Sequence, residues 1–244
     1  MVEPIHVDVS KVLSGSCAFS DEHLPEVLPA EPFGMLTQWL AMAGELRVQP
    51  NPNAMTLATV GSDGSPSARV VLARRIDAGL GYVVFFTNYA SEKGLQMSQN
   101  ARVALCMHWD NLDRQARIEG VATRSPTAES DAYFNSRPVS SRIAAWASEQ
   151  SRPIASRGAL LEQNARAEAR FGDAAGASAS GGVRVPRPGH WGGFRVWASR
   201  VELWRGHSNR LHDRARWERL LTPAEVDGVA GFAGSAWSAT RLQP

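Results

Sequence analysis

Cysteine is nearly absent from this sequence: Cys17 and Cys106 are the only two in 244 residues, and they stand far apart. That argues against a disulfide framework, and the lack of any CxxC argues against a cysteine-rich zinc site. No apolar run approaches the ~20 residues of a membrane helix, so no membrane partner is expected. Met1 to Ser10 has no apolar stretch behind a basic start, so a secretory leader is not expected there and a cytoplasmic location is. Net charge is also small, +2 from 26 basic and 24 acidic residues. Without a basic field, nucleic acid is not an expected partner. No GxGxxG follows a strand pattern, no GxxxxGK[ST] occurs, the six histidines form no HExxH, and no GxSxG frames a serine. Dinucleotide folds, P-loops, zincins and serine hydrolases lose support, and no metal is expected.

Apolar residues make up 43% of the chain, with eight tryptophans and eight phenylalanines, enough for a core without cross-links. Arginine dominates the basic residues, and its planar fork suits phosphate and carboxylate. Residues 1–30 are punctuated by Pro4, Pro25 and Pro29 and read as an extended arm; residues 31–244 read as one domain. A helix is predicted from Glu31-Pro32, with Phe33, Leu36, Leu40 and Ala43 at helical spacing. Met55–Val60 and Ser67–Ile76 flank the turn formers Gly61 to Pro66 and read as a hairpin. Gly81–Thr87, Val103–Trp109 and Gln115–Thr123 read as strands, the last with Gln115, Arg117 and Glu119 on one face. Ser91 caps a short helix to Gln99. Thr127–Asn135, Ser141–Ala147 and Ser156–Phe171 are helix formers without internal proline. Gly172–Gly182 reads as a flexible surface loop. Phe194–Trp204 is a strand whose alternation slips at Ala198–Arg200, the mark of a bulge, and Trp237–Gln243 is a terminal strand. Short strands with turn signals and intervening helices predict a barrel with helices packed outside.

Four stretches carry chemistry. Arg69 to Arg74 is an apolar strand with an arginine at each end. Phe86 to Gly94 joins a strand to a helix and gathers hydroxyls, backbone N–H groups and Lys93, a usable phosphate cradle. Tyr133 and Arg137 are four apart and share a face if they lie on one helix, and Ser141 follows after a proline break; the three offer phenol, guanidinium and hydroxyl donors. Trp204 is followed closely by Arg210, His212 and Arg214. Each stretch alone is equally compatible with ordinary solvated strand ends, turns and loops.

Together, in this order, the blocks RVVLAR (69–74), FFTNYASEKG (85–94), RQARIEG (114–120), SDAYFNSRP (130–138), AAWASEQS (144–151), HWGGFRV (190–196) and RLHDR (210–214) resemble the pyridoxamine 5'-phosphate oxidase family, from about Glu31 to Pro244. The resemblance implies a split β-barrel of the FMN-binding, Greek-key type, mainly β with peripheral helices. It implies a homodimer with FMN at the interface. It places Arg69, Val70, Val71, Leu72, Arg74, Phe86, Thr87 and Lys93 on FMN, with Gln115, Gln150, Ser151, Trp204 and Arg214 completing that site. It places the substrate phosphate at Arg74, Tyr133, Arg137 and Ser141, and Arg210 and His212 against the substrate ring as the catalytic pair. The implied reaction oxidises the C4' amine or alcohol of pyridoxamine or pyridoxine 5'-phosphate to the aldehyde, with O2 reduced to hydrogen peroxide.

The sequence departs from the family pattern in places. The family usually has lysine where Arg74 stands and arginine where Glu92 stands. Its arginine-rich N-terminal segment is replaced by the acidic stretch Phe19 to Pro29, which looks more like the flavin oxidases of phenazine biosynthesis. Extra length falls at Gly172–Gly182 and Leu221–Gly234. Two other readings follow: a secondary-metabolism oxidase that aromatises a dihydrophenazine-like tricycle, and a flavin or pyridoxal phosphate carrier without turnover.

Overall fold

The computed structural model describes residues 22–171 and 185–244. Helix α1 (Phe33–Glu45) packs Phe33, Leu36, Trp39 and Ala43 into the core, the face its spacing predicts. Its start is fixed by Glu31, whose carboxylate accepts from the Phe33 and Gly34 N–H groups. The predicted hairpin is present: β1 (Ala54–Val60) pairs antiparallel with β2 (Pro66–Leu72). The second strand does not run through to Ile76. It breaks at Ala73-Arg74, and β3 (Arg75–Asp77) is a separate strand paired with β4 (Tyr82–Asn88). The expectation of one strand over 67–76 is corrected there.

After β4 come α2 (Glu92–Gln99), β5 (Arg102–Trp109) and β6 (Arg114–Arg124), then α3 (Thr127–Ser136), α4 (Val139–Ala147) and α5 (Arg157–Phe171). The chain closes with β7 (Trp191–Arg205), β8 (Asp213–Glu218), the hairpin β9 (Leu221–Val226) and β10 (Val229–Gly234), and β11 (Ser238–Leu242). Pairing runs β2–β1–β5–β6–β7, and β7 also pairs with β4, which pairs with β3. Because β3 continues from β2, this circuit closes into a barrel, a mainly β split-barrel fold with helices outside. β8 and β11 extend the sheet beyond it.

The long β7 divides the barrel. Tyr82 to Asn88 of β4 pair with Trp197 to Trp191, whereas Arg200 to Arg205 pair with β8. Between these halves the β6–β7 register shifts: Gly120 faces Ala198 and Glu119 faces Arg200, leaving Ser199 as the extra residue. The bulge falls where the alternation slips. Gly120 is required opposite it, because a Cβ there would collide with the Trp197 carbonyl oxygen. Gly120→Ala should therefore cost on the order of 1–3 kcal/mol or more. A lower urea midpoint would show it; an unchanged midpoint would mean the bulge relaxes freely.

The barrel core contains Leu57, Leu105, Met107, Ile118, Val196, Val201 and Leu203. A second cluster, Phe134, Ile143, Ala145, Ala147 and Trp191, joins α3 and α4 to the start of β7. The expected loop over 172–182 and most of the expected arm lie outside the described residues. The described end of the arm is tied down. Glu22 bridges the buried Arg114 and Arg205. The hydrogen bond from Arg205, with Arg114 beside it, holds the Glu22 carboxyl below the usual carboxylate range. The stretch with extra length at 221–234 is the β9–β10 hairpin. Its turn residues Asp227 and Gly228 both have positive φ, and the Asp227 carboxylate lies 2.8 Å from the buried Arg195.

Candidate functional site

Two distinct surfaces emerge from the candidate residues. The first is a cavity of about 380 Å³ lined by Val70, Val71, Leu72, Arg74, Phe86, Thr87, Lys93, Tyr133, Arg137, Gln150 and Trp191, among others. It brings together β2, β4, the start of α2 and the α3–α4 connection. Among the described residues no carboxylate lines it, although three cations do.

Lys93 sits in the first turn of α2, 8% exposed. Its ammonium reaches Gln150 Oε1 at 3.1 Å, Thr87 Oγ1 at 3.3 Å and Ser91 Oγ at 3.3 Å, all neutral acceptors. Burial pushes its pKa below the usual lysine range; Arg69 adds to the fall and Glu92 opposes it. A buried cation with no acid in contact is costly in isolation and favourable beside an anion. Ser91 caps the same helix as its sequence predicts, accepting from the Gly94 N–H. The helix N-terminus adds its own partial positive charge.

At the other end of the cavity, Arg137 is the C-cap of α3 in extended conformation, not a helical residue, because Pro138 follows it. It still lines the same cavity as Tyr133. Its guanidinium lies 4.7 Å from the Trp191 ring centroid, and its Nη1 is buried without a hydrogen-bond partner. Burial lowers its pKa, Tyr133 opposes that shift and Arg74 adds to it. Arg74 itself sits 5.6 Å from the Tyr133 ring. Phe86 stacks on Tyr133 at 4.0 Å and near-parallel to Trp191, giving an aromatic wall between the cationic ends.

Some predicted members stand outside the cavity. Arg69 is committed to Leu57 O, Thr59, Ser67 and Gln96 and acts as a brace behind β2. Ser141, in the first turn of α4, and Ser151, at φ 72°, are not among the lining residues. Glu92 is exposed and accepts from Gln96 Nε2 at 3.0 Å; it does not line the cavity. Asn88 and Trp191 do line it, and neither carries a local sequence signal for a site.

The second surface holds Gln115, Trp204 and Arg214, adjacent across β6, β7 and β8. None lines the cavity. Their face carries an interlocked ladder in which Arg117, Arg200, Arg214 and Arg216 pair with Glu119, Glu202 and Glu218. A larger depression, about 750 Å³, lies on this outer face between Ala58, Ala104, Glu119 and Arg200. Unlike the first cavity it is lined by two carboxylates, Glu119 and Glu218, beside Arg102, Arg200 and Arg219, so it is the poorer anion site. Arg210 and His212 belong to the loop before β8. Arg210 is exposed at φ 61°, and the His212 ring lies 4.8 Å from Trp204. His212 Nδ1 accepts the His207 N–H at 3.0 Å, so in the neutral ring the proton is on Nε2.

Comparison with known proteins shows the family and the fold. Residues 43–171 match the family model described as pyridoxamine 5'-phosphate oxidase, and residues 191–244 match the pyridoxine 5'-phosphate oxidase C-terminal dimerisation region. The chain belongs to the pyridoxamine 5'-phosphate oxidase family. It is 43% identical to the pyridoxine/pyridoxamine 5'-phosphate oxidase of Cupriavidus pinatubonensis, covering 88% of this chain and 89% of that one. It is 46% identical to the enzyme of that name from Bordetella avium, covering 91% and 93%. Among solved structures, PhzG from Burkholderia lata 383, in complex with tetrahydrophenazine-1-carboxylic acid, is similar with a TM-score of 0.76 and 32% identity, covering 94% of this chain and all of that one. An FMN-binding protein from Nostoc punctiforme shares the fold at TM-score 0.61 and 17% identity, covering 90% of this chain and 99% of that one.

Proposed function

We propose that this chain is an FMN-dependent oxidase that converts pyridoxine or pyridoxamine 5'-phosphate to pyridoxal 5'-phosphate, with O2 reduced to hydrogen peroxide. The observation that carries the reading is the cavity with a cationic group at each end and no carboxylate between them. Two phosphate-bearing molecules, one cofactor and one substrate, fit that donor set. Lys93, Thr87 and the N-terminus of α2 would hold the FMN phosphate; Gln150 is within reach of the same ammonium. Val70, Val71 and Leu72 would lie along the isoalloxazine. Arg74, Tyr133 and Arg137 would hold the substrate phosphate, with Ser141 behind them.

The proposal extends to a homodimer. Gln115, Trp204, Arg214, Arg210 and His212 lie off the cavity in one chain and would complete the site of a second copy. The C-terminal segment's match to a dimerisation region supports this arrangement.

When bound, FMN supplies the redox chemistry, accepting a hydride and passing electrons to O2. The chain's own residues bind, orient and exclude water. The Phe86–Tyr133–Trp191 wall would shield the reacting faces, and the cations at the two ends would anchor one phosphate each, holding substrate and cofactor in a fixed relation. Arg210 and the Nε2–H of His212 would meet the substrate ring and set which face of C4' is presented.

A second reading, aromatisation of a dihydrophenazine-like acid, has its own support: the similar PhzG structure holds such a ligand. A carboxylate can also pair with Arg137. Peroxide release from purified, FMN-loaded protein separates the two. The vitamer phosphate should give sustained turnover and a dihydrophenazine carboxylate little. The reverse pattern would replace the first reading with the second, and no peroxide from either would favour a carrier.

A further inference from the structure

We propose that His23, His207 and Asp213 form a site for a divalent transition-metal ion of the zinc class, clasping the N-terminal strap to the loop that carries Arg210 and His212. The three donors come from segments nearly two hundred residues apart. His23 Nδ1 lies 3.0 Å from Asp213 Oδ2, and His207 Nε2 lies 3.4 Å from the same oxygen. All three donor atoms fall within 4.8 Å of one another, and they form the one such group among the described residues. Tetrahedral zinc with nitrogen and oxygen donors needs donor separations of about 3.3 Å, which both contacts to Asp213 already approach.

The surroundings favour an ion over a loose hydrogen-bonded cluster. His207 and Asp213 are fixed by burial, with side chains 5% and 19% exposed, while His23 is 68% exposed and free to turn. The two imidazoles stack at 4.5 Å with a 21° tilt, which brings both rings to one place, and the exposed His23 must swing out of the stack to aim its nitrogen at the same point as His207. Asp213 is oriented from outside: Leu24 N–H donates to Oδ2 at 2.9 Å, and Arg241 Nη1 lies 3.8 Å from Oδ1. Such outer contacts fix a metal-binding carboxylate. Two imidazoles and one carboxylate favour zinc, cobalt or nickel over magnesium or calcium, and leave a coordination position for water.

The site has a structural consequence distinct from the oxidase reaction. Residues 22–24 already contact the body through Glu22 and the buried Leu24. An ion at His23 would lock them against the His207–Asp213 loop.

The test is a calorimetric titration of chelator-treated, full-length, FMN-loaded protein with Zn²⁺, repeated with Co²⁺ to read visible absorption beyond the flavin band. One ion per chain is expected, with a cobalt spectrum showing nitrogen ligation. His23→Ala, a surface change, should weaken Zn²⁺ at least about 100-fold, since a direct ligand matters more than the outer partners worth 10–100-fold. His108→Ala should leave affinity unchanged. The proposal is overturned if the wild type shows no saturable Zn²⁺ binding, or if His23→Ala binds as tightly as the wild type.

Discussion

Arg137→Ala should raise the KM for pyridoxine 5'-phosphate by some 30-fold to several thousand-fold while the bound FMN content stays normal. The range corresponds to the ~2–5 kcal/mol lost when one partner of a buried, charge-assisted pair is removed. The guanidinium is held by stacking on Trp191, with a buried Nη1 that no protein group satisfies. Its remaining neighbours, Tyr133 and Arg74, cannot neutralise it, so a substrate phosphate is the group that would. Steady-state kinetics with the phosphorylated and dephosphorylated vitamers read the effect: the variant should lose its preference for the phosphorylated form. A variant that keeps wild-type KM would detach Arg137 from substrate and leave it a helix-end residue packed on tryptophan.

Lys93→Met should weaken FMN by roughly 10- to 150-fold, the loss of a hydrogen bond to a charged group worth about 1.5–3 kcal/mol. The FMN-free protein, by contrast, should be no less stable in urea. Lys93 is 8% exposed and touches only neutral oxygens, so in the absence of an anion its charge is a burden that methionine removes. The two readouts moving in opposite directions separate a binding lysine from a structural one, for which both would fall. The pH dependence has a definite sign. Burial lowers the Lys93 pKa, so FMN affinity is full near neutral pH, where the phosphate is a dianion and the ammonium is charged, and declines as pH rises through a value below the ordinary lysine range. Flavin fluorescence titrations across alkaline pH follow that decline, and it should vanish in Lys93→Met.

Much of the barrel is legible in local sequence because turn chemistry and alternation are local. Gly61 to Pro66 can only be a turn, so the β1–β2 hairpin follows. The alternation slip at Ala198–Arg200 locates a bulge that the structure centres on Ser199. The break at Ala73-Arg74 is not legible, because it is imposed by pairing: the Arg74 N–H donates to Val84 O while the Ala73 N–H donates to Asn53 O. β8 alternates Ala215 and Trp217 inward with Arg214 and Arg216 outward, but its arginines read as a basic loop. The β9–β10 hairpin carries a turn signal, Asp227-Gly228 between two valines, in a segment otherwise too rich in alanine and glycine to look like strand. Within the site, the cradle at Lys93 was visible as a strand-to-helix junction. Gln150 beside it was not, being dozens of residues away, and only resemblance named it. The His23–Asp213 contact is longer-range still.

Gln115, Trp204 and Arg214 stand on one row of the outer sheet, away from the cavity of their own chain, and under the proposed dimer that row would make the site a shared possession. If two copies each complete the other, damage to the two halves can be compensated in trans. An Arg137→Ala chain mixed with an Arg214→Ala chain places both lesions in one site of the mixed dimer and leaves the other site intact. Unfolding and refolding the two variants together in equal amounts should then restore about one quarter of wild-type activity at substrate concentrations near the wild-type KM, the statistical share of intact sites among randomly paired chains. Refolding either variant alone should restore none.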